Sequence, residues 1–200
     1  LPGARGSLGE MAAAVLADAP PTFALAGHSM GGRVALEVMR RAAHRVAGLA
    51  LLDTGYQPRA PGEAGERERA GRFALLEMAH EQGMRAMGRR WLEGMIHPDR
   101  RTDHGLVDRI LDMIGSKPPE LFEAQIQALL ARPDATAVLR SITCPTLVLC
   151  GREDAWAPAS RHEDIAALIE GSTLVIVPEC GHMSTLERPA AVSDALRDWL

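Results

Sequence analysis

A serine with glycines two residues to either side, Gly27-His28-Ser29-Met30-Gly31, constrains this chain more than any other feature. It follows a short apolar run at residues 22–26 and precedes a helical pattern in which Val34 and Val38 stand four apart. An apolar run feeding through a glycine-rich turn into a helix reads as strand, sharp turn, helix. A serine at the apex of so tight a turn sits in strained backbone, and neighbours without a Cβ leave room for it. Such a turn presents the hydroxyl at the end of a strand and the start of a helix, where backbone N–H groups are free.

The rest of the chain alternates in the same manner. Ser7-Leu8-Gly9-Glu10 is a capping-box pattern, after which Leu8, Met11, Ala12, Val15 and Leu16 share one helical face until Pro20-Pro21. Val46–Leu52, residues 146–150 and Thr173–Val177 read as buried strands. Ile165, Leu168 and Ile169 mark a helix that Gly171 is expected to end, and residues 190–200 a closing helix. Buried strands alternating with helices predict an α/β fold: a mostly parallel sheet covered on both faces.

One stretch breaks the alternation. Residues 56–68 are rich in Pro, Gly, Glu and Arg and read as an exposed connection. From about 69 to 131 only helical spacing appears, as in Met84, Met87, Trp91, Met95 and in Leu106, Ile110, Ile114. The predicted organisation is therefore a core of residues 1–55 and 136–200 with a helical insertion at 56–135. Met78, Met84, Met87, Met95 and Met113 lie in that insertion. They suit either helix packing or an adaptable apolar pocket lining.

At 200 residues, with 46% hydrophobic and 24% charged, a single soluble domain is expected. The net charge of −4 gives no general drive toward nucleic acid or an anionic membrane. No apolar run is long enough to span a bilayer. Met11–Ala17 is too short for a signal peptide and reads better as helix. Cys144, Cys150 and Cys180 are odd in number and lack metal-site spacing, which fits a reducing, cytoplasmic setting.

Ser29, Asp154 and His182 each follow a different strand candidate. The carboxyl ends of parallel strands share one edge, so residues far apart in sequence converge there. A serine hydroxyl needs a base to remove its proton, and His182 is the candidate. The imidazole needs a carboxylate to fix its tautomer, and Asp154 is the candidate. Asp53, after the second strand, is a rival for that role. The Met30 N–H points where an oxyanion would form. Each of the three also has a plain structural reading: a capping serine, an Asx-turn aspartate, a loop histidine. Trp156 is a possible cleft-lining residue, His28 reads as structural, and Cys180 as a small buried residue. His97, Asp99, Asp103 and His104 read as a solvated turn rather than a metal site.

Three stretches carry a family resemblance: Leu25-Ala26-Gly27-His28-Ser29-Met30-Gly31-Gly32, the run from Cys144-Pro145 to Gly151-Arg152-Glu153-Asp154, and Gly181-His182-Met183-Ser184-Thr185-Leu186-Glu187-Arg188-Pro189. With the order between them, the chain resembles an α/β-hydrolase fold serine hydrolase of the small esterase, lactonase and cofactor-free haloperoxidase group. The resemblance implies Ser29 as nucleophile, Asp154 as acid, His182 as base, and the insertion as a cap. The Gly-x-x-Asp turn typical of that family favours Asp154 over Asp53. It implies a small, uncharged or weakly charged ester, lactone or related carbonyl substrate, with no metal or organic cofactor.

The resemblance also sets an expectation of incompleteness. Such enzymes have several strands before the elbow strand, and a loop there gives a second oxyanion donor; here one helix precedes it and the chain starts at Leu1. Residues 22–26 are then expected at a sheet edge, and loss of one donor costs about 10²–10³ in turnover. The alternative is a catalytically impaired hydrolase fold acting as a binding protein, or a bare fragment.

Overall fold

The computed structural model describes residues 6–199, so the expected end of the last helix at Leu200 and the first five residues of the core lie outside it. Four strands form one sheet in the order β1 (Phe23–His28), β2 (Val46–Leu52), β3 (Thr146–Gly151), β4 (Thr173–Val177), all parallel. The register sets His28 beside Leu52, Leu52 beside Leu149, and Gly151 beside Val177. The four carboxyl ends therefore lie along one edge. Among the described residues β1 is an outer strand, paired with β2 alone.

Alternate residues of β2 serve two cores, as period-2 side-chain geometry requires. Leu49 and Leu51 join Leu8 and Met11 of α1 (Leu8–Asp18), Val34 and Val38 of α2 (Met30–Ala42), and Ile165 of α8 (Ala159–Leu168). Ala50 and Leu52 face the other way, with Leu147, Leu149 and Val192. Burying both faces explains why β2 reads as an unbroken apolar run. The N-cap Ser7 side chain accepts from the Glu10 N–H at 3.1 Å, the forward half of a capping box.

Residues between β2 and β3 contain no strand. They form α3 (Gly62–Gln82), α4 (Met84–Leu92), α5 (His104–Gly115), α6 (Pro119–Leu130) and the short α7 (Thr136–Arg140). Helices α3 to α6 enclose an apolar cluster of their own around Met87, Leu106, Ile110 and Ile126. After β3 and α8 comes β4, then α9 (Ser184–Glu187) and α10 (Pro189–Trp199).

Several boundaries differ from the sequence reading. The expected exposed connection at 56–68 is helical from Gly62, and Tyr56 is buried. This first part of α3 has no apolar stripe; ion pairs Glu63–Arg67 and Glu68–Arg72 at i,i+4 spacing support it instead. β1 runs two residues beyond the expected end, to His28, and α2 opens at Met30 rather than Arg33. Gly171 does not end α8: the helix stops at Leu168 with Ile169 extended, and Gly171 takes φ +73° in the turn beyond. Met78, Met84, Met87 and Met95 pack the helical cluster, and Met113 is exposed, so none of the five methionines of the insertion lines the cleft described next. Among the described residues no helix is long and apolar enough to cross a membrane.

Candidate active site

Ser29 occupies the single residue between β1 and α2, at φ 54° and ψ −117°. Positive φ in a residue with a Cβ stores strain. Neighbouring packing holds it there. A Cβ on Gly27 would lie 2.4 Å from the Gly31 carbonyl oxygen, and one on Gly32 would lie 2.6 Å from the Thr54 hydroxyl. Gly31 differs from the sequence expectation: a Cβ there meets nothing within 4 Å. The tight turn needs Gly27 and Gly32, not Gly31. The Ser29 N–H donates to the Leu52 carbonyl at 2.8 Å, and the Thr54 hydroxyl donates to the Ser29 carbonyl at 2.6 Å. Both ends of the elbow are thus tied to the end of β2.

The three residues that sequence reasoning singled out meet. His182 Nε2 stands 2.8 Å from Ser29 Oγ, and His182 Nδ1 stands 2.8 Å from Asp154 Oδ2. The other Asp154 oxygen accepts the N–H groups of Trp156 at 2.8 Å and Ala157 at 2.9 Å. Asp154 and His182 are buried and Ser29 is half-buried, so the line of contacts leads from the interior out to Ser29 at the cleft. Met30 is the first residue of α2, where a backbone N–H has no intrahelical carbonyl to meet. The Trp156 ring lies 5.2 Å from the His182 ring and 5.0 Å from Trp91, forming one wall of the cleft.

Asp53, the rival carboxylate, is directed elsewhere. It accepts from the Gly151 N–H at 2.9 Å and from the Ser184 hydroxyl. Burial pushes its carboxyl up to about 7, against the lowering effect of those two bonds. His28 reaches the back of the site: its Nε2 is 2.8 Å from the His182 carbonyl and 3.5 Å from Asp53. Because a carbonyl only accepts, that nitrogen carries the proton. Burial, then the nearby His182, lowers the His28 pKa to about 4, which leaves it neutral. Cys180 is fully buried and burial pushes its thiol up, as expected of an inert small residue. His97 Nδ1 accepts from the Asp99 N–H and Asp103 caps α5; among the described residues no group of three metal-ligating side chains gathers.

Sequence reasoning missed two buried groups. Glu187 accepts from the N–H groups of Gly181 and Met183 with one oxygen and from His97 with the other. His162 accepts the Thr54 N–H at 2.9 Å, and burial lowers its pKa to about 4. His162 sits in no motif, and Glu187, though inside the last of the three family-like stretches, carries no local sign of its role; only three-dimensional proximity reveals them.

The cleft above Ser29 has a volume of about 550 Å³. Leu75, Trp91, Phe122, Ile126 and Leu129 from the helical segment form its apolar side. Its other side is basic, with Arg33, Arg67, Arg72, Arg132 and Arg161 against Glu68. That differs from the cleft an uncharged substrate leads one to expect. Burial alone would raise the Glu68 carboxyl, but hydrogen bonds and charge from Arg132 and Arg72 outweigh it and hold it at about 2.

A family profile described as the alpha/beta hydrolase family matches residues 4–195. A pimeloyl-[acyl-carrier protein] methyl ester esterase of Aromatoleum aromaticum is 27% identical, over 92% of this chain and 76% of that protein. A putative carbamate hydrolase of Variovorax paradoxus is 30% identical, over 92% of this chain and 68% of the other. Among solved structures, a thermophilic esterase from Thermogutta terrifontis superposes with a TM-score of 0.86 at 31% identity. That match covers all of this chain and 73% of the esterase.

Proposed function

The chain belongs to the alpha/beta hydrolase family, and from that premise we propose that it is a serine hydrolase of esters or lactones, with Ser29, His182 and Asp154 as its catalytic groups. The observation that carries this reading is His182, bonded at 2.8 Å on one side to the Ser29 hydroxyl and on the other to the Asp154 carboxylate. The similar esterases and hydrolases support the reaction class. The helical segment at 56–135 acts in this reading as a cap, because its apolar residues form the cleft wall opposite Ser29.

In the reaction, Asp154 accepts a hydrogen bond from His182 Nδ1–H, which keeps the proton on Nδ1 and leaves the Nε2 lone pair free to take the Ser29 proton. Ser29 Oγ attacks the substrate carbonyl. The Met30 N–H, aided by the α2 dipole, donates to the resulting oxyanion. His182 returns its proton to the departing alkoxide, leaving an acyl-serine. A water that loses its proton to His182 then releases the acid and restores Ser29.

The test is labelling with a fluorophosphonate, with the modified residue mapped by mass spectrometry. Labelling confined to Ser29 and lost in Ser29→Ala is expected. A folded protein whose Ser29 resists the reagent overturns the reading.

A further inference from the structure

Two of the arginines in the cleft have no carboxylate partner within ion-pair distance among the described residues, while Arg72 and Arg132 share Glu68. Arg33 follows Ser29 by one helical turn, so it flanks the hydroxyl on the same side of α2. Its Nη1 donates to the Gln57 carbonyl at 2.9 Å, and Arg132 Nε donates to the same oxygen at 3.3 Å. Arg161 approaches from α8. A Cβ built on Gly55 would lie 2.8 Å from Arg33 Nη2 and 3.4 Å from Arg161 Nη1, so both guanidiniums crowd over one bare stretch of backbone. Arg161 is itself held by the Trp156 carbonyl at 3.0 Å.

This gathering of like charges is electrostatically unfavourable by itself. Burial, then the charges of Arg132 and Arg161, pulls the Arg33 pKa down to about 9. Of these three guanidiniums only Arg132 meets a carboxylate, Glu68, and it shares that with Arg72. An anion entering the cleft relieves that repulsion, and planar guanidinium forks match carboxylate geometry.

We propose that Arg33 and Arg161, backed by Arg132, form an anion subsite that selects ester or lactone substrates bearing a free carboxylate beyond the reacting carbonyl. The inference rests on the serine-hydrolase reading of the same cleft. It goes further by naming the substrate class: acyl groups with a distal negative charge, the carboxylate against the arginines and the scissile carbonyl over Ser29. The apolar wall of Leu75, Trp91 and Phe122 then covers the methylene chain between them.

The experiment compares two esters with the same leaving group: mono-p-nitrophenyl glutarate, which carries the distal carboxylate, and p-nitrophenyl pentanoate, which does not. Wild type is expected to show a kcat/KM at least tenfold higher for the glutarate ester. Arg33→Met is expected to lower that ratio at least tenfold, and Arg161→Met to lower it in the same direction. Raising NaCl should erode the preference in wild type. Equal use of both esters by wild type, or a ratio indifferent to both substitutions, overturns the subsite. A binding readout separates this from the catalytic reading: glutarate should raise the Tm of Ser29→Ala, and not that of Ser29→Ala/Arg33→Met. A glutarate-dependent shift without any fluorophosphonate labelling of wild type would leave the subsite standing and remove the triad. Labelling with no shift and no ester preference would do the reverse.

Discussion

Glu187 holds the backbone N–H of His97 at 2.8 Å, a bond between the end of the His182 loop and the segment that leaves α4. Its other oxygen accepts from Gly181 and Met183, which flank His182. The His182 and Met183 N–H groups meanwhile donate to the Met95 carbonyl. The helical segment and the His182 imidazole are therefore fixed by the same few bonds, so the cleft wall and that ring keep a common frame.

Glu187 is accordingly expected to matter through position rather than contact with substrate. Glu187→Ala leaves the Gly181 and His97 N–H groups without an acceptor, at about 1–3 kcal/mol each where they stay dry, and leaves Met183 with the Met95 carbonyl alone. Urea denaturation should show a loss of roughly 2 kcal/mol or more. Glu187→Gln retains one acceptor oxygen but turns an NH₂ toward a donor, so it should fall between the two. An alanine variant with an unchanged midpoint would refute this role.

The elbow makes a contrast among three neighbouring glycines. Gly27→Ala and Gly32→Ala each drive a Cβ to within 2.7 Å of backbone or of Thr54, whose hydroxyl is tied to Ser29. Each should cost about 1–3 kcal/mol or more, as overpacking does. Gly31→Ala meets open space at a helical position and should be neutral or up to ~1 kcal/mol stabilising. Thermal unfolding of the three variants checks the order. A Gly31→Ala protein as damaged as Gly27→Ala would show that the turn is held in another way.

The sequence revealed what short-range pattern encodes. Val46–Leu52 and Thr173–Val177 have the expected bounds, because breakers flank apolar runs long enough for one strand. The elbow, with its strained serine, was visible because Gly27 and Gly31 bracket it in the sequence, although the packing requires Gly27 and Gly32. The start of α3 was not, because charged pairs rather than an apolar stripe stabilise it. The meeting of Arg33, Arg132 and Arg161 was equally hidden. Those residues come from α2, the end of α6 and α8, and nothing near each in sequence signals the others. The same holds for Asp53: its position after a strand made it a rival acid, and only its bonds to Gly151 and Ser184 direct it away from His182.

Buried neutral histidines set one pH dependence. His162 has its folded pKa lowered from 6.5 to about 4. Between those values the unfolded chain takes up a proton that the folded protein refuses, so stability falls as pH drops from about 6.5 toward 4. Above 6.5 the contribution is constant. Gln can accept from Thr54 and donate to Pro158 as His162 does, without titrating. His162→Gln should therefore lose less stability than wild type on acidification, by up to about 1.4 kcal/mol per pH unit in that window. Denaturation curves at pH 7.0, 6.0 and 5.0 measure the difference. Parallel losses in the two proteins would mean that His162 is protonated in the folded state.

The two aspartates give the sharpest test of the catalytic assignment, because their surroundings predict opposite outcomes for the same change. In Asp154→Asn the amide oxygen stays with the Trp156 and Ala157 N–H groups, so the NH₂ faces His182 Nδ1. That nitrogen must then accept, the proton moves to Nε2, and the ring can no longer take the Ser29 proton. A loss of about 10⁴ in kcat is expected, with the fold retained. In Asp53→Asn the oxygen can keep the Gly151 N–H while the NH₂ donates to the Ser184 hydroxyl, which reverses its own bond. Turnover should stay within about tenfold of wild type, since the bonds to His182 are untouched. Its stability should also change with pH. The raised Asp53 pKa, about 7 against 3.8, makes wild type lose stability as pH rises through that interval, and Asn removes the loss. Turnover abolished by Asp53→Asn and spared by Asp154→Asn would transfer the acid role to the end of β2.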